Sequence, residues 1–209
     1  MTDNYAAQAR QAQQRFLTYD QQAIQQKLHL DGDAHYLYPT MLSRRYRLNR
    51  ATGNLEAWSG DTWADANTFD EIMTLLDLLC DSRPDRFLTG RWKNMAAFGA
   101  MFHQNLLENP RDPWANRIQQ DPQGFSHACL ALGGRALPMG DIAYAVELFD
   151  GLEIALQFWF SDEDFPPTLR FSWDENAGMY LKYETMFYAK GLLWQRLEEV
   201  WPIQHPSVT

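Results

Sequence analysis

The segment from Asp141 to Asp174 constrains the fold more than any other part of the chain. Over 141–149 the apolar residues Ile142, Tyr144, Val146 and Leu148 alternate with smaller or polar neighbours. That period of two belongs to a strand with one face in a core. Asp150-Gly151 follows, the dipeptide best suited to a two-residue hairpin turn. Leu152, Ile154, Leu156, Phe158 and Phe160 repeat the pattern, and after an acidic loop Leu169, Phe171 and Trp173 repeat it again. The spacing predicts an antiparallel three-stranded meander, with strands at 141–149, 152–160 and 168–174.

The meander has a geometric consequence. Its first strand leaves the end of the sheet to which the second returns, so Asp141 shares a sheet end with the loop "SDEDFPP" at 161–167. Asp150, Asp174 and Glu175 fall about eight residues away, roughly 25 Å at strand rise. Four carboxylates therefore gather at one end: Asp141, Asp162, Glu163 and Asp164. Such a group can bind a hard cation through oxygen, or raise one member's pKa and make a general acid. It can equally be a solvated turn, because consecutive acids point different ways and Pro166 and Pro167 stiffen the connection. It is not an EF-hand, since Pro167 stands where that loop needs glycine.

Elsewhere the period is helical. Tyr5, Ala9, Ala12, Phe16, Tyr19 and Ala23 form one stripe, which predicts a single helix over 4–28 lying over the main body or against a partner helix. Thr68 with Glu71 is a capping box, and Ile72, Leu75, Leu76 and Leu79 follow at core spacing, with Pro84 beyond. Further helices are expected at 94–108 and 113–119. Another should run from Asp121-Pro122 to Leu132, ended by Gly133 and Gly134, and a last one over 184–200, with Phe187, Leu193, Leu197 and Trp201 inward and Pro202 as its stop. Between the first two helices, "RRYRLNRATGNLEAW" alternates around Tyr46 and Leu48 and carries turn residues, which predicts a small hairpin. With no repeat and no linker, the expectation is one α+β domain over 1–209: antiparallel strands, in a small N-terminal hairpin and the 141–174 meander, packed with several helices.

Composition narrows the function. A net charge of -9 lacks the clustered cations that nucleic acid requires. Arg44, Arg45, Arg47 and Arg50 could hold a phosphate or simply form a solvated strand face. Cys80 and Cys129 are too few for an all-cysteine metal centre, and both sit in apolar helical contexts. No run approaches a membrane span and the first residues lack a signal-peptide core, so a cytoplasmic protein is expected. Phosphate-loop, dinucleotide, zinc-protease and serine-hydrolase motifs are absent. Ser126, His127 and Cys129 do not share a helix face and suggest no triad. Secondary candidates are His103, beside Met101 and Phe102, and Arg91 with Trp92, a cation next to a stacking surface.

The combination "GDIAY", a strand pair ending in "FWFSDEDFPP", "LRFSWDENAGMYL" and a helix opening "YET" resembles an uncharacterised bacterial family, domain of unknown function 3786, met mostly in anaerobes. The likeness extends to "RRYRLNRATGNLE" and the leucine helix, so to nearly the whole chain, with 140–184 its most specific part. It implies no activity. Some members carry an added cysteine-rich iron–sulfur segment, which implies redox or corrinoid metabolism, and this chain, with Cys80 and Cys129 alone, departs from that. The shared pattern covers Gly140, Asp141, Asp162, Glu163, Phe165, Pro166 and Asp174. The expected function is non-catalytic binding of a partner protein or small ligand. The alternative is a metal-assisted hydrolase or isomerase at the acidic sheet end. Neither reading names a cofactor.

Overall fold

The computed structural model describes residues 2–99 and 113–201. The chain opens with α1 (Thr2–Phe16) and α2 (Gln21–Lys27), so the single helix expected over 4–28 is corrected to two. The break is local. Asp20 is extended, at ψ 97°, and its carboxylate accepts the amides of Gln22 and Ala23 at 3.0 Å each. A capping aspartate starts a helix better than it continues one.

Six short strands follow: β1 (Asp31–Gly32), β2 (Tyr36–Tyr38), β3 (Thr40–Met41), β4 (Arg44–Asn49), β5 (Leu55–Trp58) and β6 (Trp63–Asp65). They form one antiparallel sheet in the order β1-β2-β4-β5-β6, with β3 also on β4. The expected N-terminal hairpin is β4–β5, where the Asn49 side chain accepts the amides of Ala51 and Thr52 across the turn. The structure corrects its extent from two strands to six. The added strands run two or three residues, too short to show a period. On β4, Tyr46 and Leu48 are buried while Arg45 and Arg47 face outward.

The leucine helix α3 (Phe69–Asp81) starts as its capping box requires: Thr68 Oγ1 accepts the Glu71 amide at 3.3 Å and bonds the Glu71 carboxylate at 2.7 Å. Its inward residues Ile72, Leu75 and Leu79 are fully buried, and α1 packs on it. A long loop leads to β7 (Trp92–Asn94) and a 3-10 turn over Met95–Phe98. The helix expected over 94–108 is thereby corrected at its start. Asn94 ends a strand, and its side chain caps Ala96 at 3.0 Å. The remainder from residue 100, including His103, lies outside the described residues.

Helices α4 (Pro113–Gln120) and α5 (Pro122–Ala131) come next, then β8 (Arg135–Ala136), β9 (Ile142–Phe149), β10 (Leu152–Trp159) and β11 (Thr168–Asp174). Asp121 and Pro122 begin α5 as expected, with Asp121 accepting the Gly124 amide at 2.8 Å. The predicted meander is β9–β10–β11, extended by β8 and β7 into a five-stranded sheet ordered β7-β11-β10-β9-β8. Ile154 lies opposite both Val146 and Trp173, so the apolar faces are in register. A 3-10 turn at Ala177–Met179 precedes α6 (Tyr183–Val200). The fold is α+β, and the buried residues of both sheets and of the helices make one continuous cluster.

The two sheets meet at the β3–β4 turn. The turn between β3 and β4 presses on β9, where the Leu42 amide donates to the Leu148 carbonyl at 3.0 Å.

Candidate functional site

The acidic sheet end forms as a turn. Asp141 does share an end with the 161–167 loop: its amide donates to the Phe158 carbonyl at 2.9 Å, and its carboxylate accepts the Phe160 amide at 2.8 Å. Gly140 permits this approach, since it sits at φ 61° and a Cβ there would meet the Phe158 carbonyl oxygen at 2.7 Å. Asp162 turns its carboxylate onto its own loop and accepts the amides of Asp164 and Phe165 at 2.9 and 2.8 Å. Glu163 and Asp164 are exposed. Among the described residues no three His, Cys, Asp or Glu side chains converge as metal ligands do. Asp174, at the opposite end, is buried and accepts the Thr89 and Gly90 amides at 2.9 and 2.7 Å, which pins the loop before β7.

The secondary candidates are separated by their partners. Arg91 is exposed and ion-pairs with Glu175. Trp92 is half-buried in β7, opposite Asp174. The arginines of β4 do not converge either. Arg44 pairs with Glu199, Arg47 grips Glu56 in a two-pronged contact at 2.6 and 2.8 Å, and Arg50 binds the Asp33 carbonyl at 2.9 Å. On α5, Ser126 donates to the Pro122 carbonyl and His127 points to solvent beside a buried Cys129, so no triad forms.

An open cleft of about 310 Å³ lies where the two sheets meet. Its walls come from the end of α2 and β1 (Leu28 to Asp31), from β2 and the β3–β4 turn (Tyr38, Thr40, Leu42, Ser43), and from the tip of the β9–β10 hairpin (Glu147 to Asp150). Apolar Leu28, Leu42, Leu148 and Phe149 are buried, whereas His29, Asp31, Ser43, Glu147 and Asp150 are exposed. The surface that opens into the cleft is therefore more polar than apolar.

The rim is built from unusual backbone. Among the described residues, the non-glycines with positive φ are His29 (50°), Leu42 (49°), Ser43 (56°) and Asp150 (52°), and all four line this cleft. Each has a local reason. His29 follows the last turn of α2, where the Leu30 amide reaches back to the Gln25 carbonyl at 3.0 Å, a position glycine usually fills. Leu42 and Ser43 are the loop of a two-residue hairpin, and Asp150 with Gly151 (79°) is the loop of another. A left-handed residue with a side chain costs about 1–2 kcal/mol, so the clustering concentrates strain at one opening.

Electrostatics fix the cleft's far wall. Arg86, largely buried, donates to the Asp150 carboxylate at 2.7 Å and to the Lys27 carbonyl at 3.3 Å, tying the hairpin tip to the end of α2. Glu147 accepts the Gly151 amide at 2.9 Å, and the Ser43 hydroxyl donates to the Leu132 carbonyl at 2.7 Å. His29 and Asp31 are exposed at the opening of the cleft. A hydrogen bond from Tyr38, with the His35 and Tyr36 amides, holds Asp33 down at about 2 beside this opening.

A second charged cluster stands at the end of α3. Lys182 bonds Asp77 at 2.8 Å and also pairs with Asp81, which in turn accepts from Tyr19 at 2.7 Å and Arg15 at 2.8 Å. These contacts join α1, α3 and the start of α6. The adjacent Cys80 thiol is pushed up to about 12 by burial, then by the neighbouring Asp81, so it is unreactive.

Of the cleft residues, Asp150 is marked in the sequence by its turn and Leu148 by the alternation of its strand. His29, Asp31, Ser43 and Glu147 carried no motif. The available signal was a side chain where turn chemistry calls for glycine: histidine after α2, and Leu-Ser in a two-residue hairpin loop. No helix among the described residues is long and apolar enough to cross a membrane. No curated protein and no solved structure matches the chain. A family described as a domain of unknown function, DUF3786, matches residues 20–196, nearly the whole chain, and the protein therefore belongs to that family.

Proposed function

We propose that this domain binds a small polar molecule, without transforming it, in the cleft between the sheets. The observation that carries the reading is the cleft itself: about 310 Å³, with a lining more polar than apolar that includes His29, Asp31, Ser43, Glu147 and Asp150. That volume sits at the small end of ligand pockets, and a mostly polar lining suits a polar occupant. The strained backbone around the rim supports it, because strain persists where a particular geometry is needed. Binding rather than catalysis fits the hydrogen bonding. The Ser43 hydroxyl is committed to a carbonyl, and Asp150 to Arg86, so neither serves as an activated nucleophile or a poised base. Free thiols at Cys80 and Cys129 support a reducing compartment such as the bacterial cytoplasm.

The test is a thermal-shift screen of the purified protein against polar metabolites, repeated on His29→Ala and Asp31→Asn. The reading expects a compound that raises Tm in the parent and loses most of that effect in both variants. A screen with no stabilising compound, or one whose effect is equal in the variants, defeats it.

A further inference from the structure

The outward face of the N-terminal sheet carries a ladder of rings. Tyr36 and Tyr38 lie 6.3 Å apart, Tyr38 and Trp63 6.2 Å, and Trp63 and Trp58 5.2 Å, centroid to centroid. The ladder crosses strands β2, β6 and β5, and every one of its rings is half-exposed or exposed. Guanidinium groups hold the rings in place. Arg47 lies 4.7 Å from the Tyr36 ring and 4.9 Å from the Trp63 ring, with its fork locked by Glu56, and Arg45 covers Tyr38 at 5.1 Å. Rings fixed in this way lose little freedom when a ligand stacks on them.

We infer that this face is a binding platform for a neutral saccharide chain. The positions directed outward on β2, β4, β5 and β6 bear aromatic, guanidinium, amide and carboxylate groups, and none bears an aliphatic side chain. The core of a protein interface would be closed by apolar packing around its anchors. Here the groups set among the rings are guanidinium, carboxylate and amide instead, with Arg45 over Tyr38 and Arg47 over Tyr36 and Trp63. A sugar offers the matching chemistry, with C–H faces for the rings and hydroxyls for guanidinium and carboxylate. Charge selects among stacking ligands. Platforms for single-stranded nucleic acid sit in strongly positive grooves, whereas Arg47 is neutralised by Glu56 on this face and Asp65 stands opposite Glu56. An uncharged occupant fits that balance. This site is separate from the cleft: Tyr38 borders both, but Tyr36, Trp58 and Trp63 do not line the cleft.

Native gel electrophoresis through soluble neutral polysaccharides (an α-glucan, a β-glucan, a xylan and a galactomannan) tests the inference, followed by titration with the matching oligosaccharide. The expected result is retardation by at least one polymer, unchanged when salt is raised. Trp63→Ala and the more exposed Trp58→Ala should each weaken it about tenfold or more, the loss of one stacked ring. Circular dichroism confirms that the variants fold, and Phe87→Ala, an exposed ring elsewhere, should bind as the parent does. No retardation by any polymer overturns the inference. So does retardation that survives both tryptophan changes, or binding of single-stranded nucleic acid that salt abolishes. A saccharide result of either sign leaves the His29 and Asp31 test of the cleft untouched.

Discussion

The Leu42 amide donates to the Leu148 carbonyl at 3.0 Å, joining the N-terminal sheet to the meander main chain to main chain. Leu42 occupies a left-handed turn position that suits asparagine or glycine, and it is 1% exposed. Burying its side chain gives back about 2 kcal/mol, which offsets the backbone cost. Leu42→Ala should therefore destabilise by about 3 kcal/mol in urea unfolding, because the transfer energy is lost while the backbone strain stays. A loss under 1 kcal/mol would mean that the junction of the sheets does not depend on this side chain.

His29 presents the opposite case. It holds φ 50° with an exposed side chain, so nothing in the folded protein offsets its strain. His29→Gly should stabilise the free protein by about 1 kcal/mol, or roughly 2–4 °C in Tm at this chain length. The same change should lower affinity for any ligand of the cleft. Stabilisation together with loss of binding would show that the strain serves the site.

The cluster at the end of α3 sets an acid limit. Burial pushes Asp81 up, but hydrogen bonds from Lys182 and Tyr19 outweigh it and hold the group at about 2, below the ordinary 3.8. An acid depressed by folding contributes stability above its unfolded pKa and loses it as pH falls through the folded one. Tm should thus fall between about pH 4 and pH 2 partly through this residue. Asp81→Asn should flatten that fall while lowering Tm at neutral pH. An acid limb of unchanged slope would place the sensitivity elsewhere.

The meander and α3 were legible because each spans enough residues for its period to show, and because Asp150-Gly151 and Thr68 with Glu71 mark their ends. β1, β2, β3 and β6 were not, since two or three residues carry no period and their pairing partners are set by tertiary contact. The apolar stripe of the N-terminal segment continues through Asp20, whose side chain captures two amides and restarts the helix, so the period alone implies one helix where two form. Asp141 was placed correctly beside the 161–167 loop by strand direction alone. The cleft was invisible for a different reason: its walls come from segments near residues 29, 42 and 150, and only folding brings them together.

Asp174 is a carboxylate with a structural task. It is 6% exposed and accepts the amides of Thr89 and Gly90, the Asn176 amide at 2.9 Å, and the Thr89 hydroxyl. Those bonds anchor the loop that carries Arg86 to Asp150, at the wall of the cleft. Asp174→Ala would leave three part-buried amides without their acceptor, at a cost of about 2 kcal/mol. It should also release the loop, so limited proteolysis should cut first between residues 83 and 91. Asp174→Asn keeps one acceptor oxygen and should lose about half as much. If the alanine variant unfolds with parental stability and resists cleavage there, Asp174 does not hold the loop.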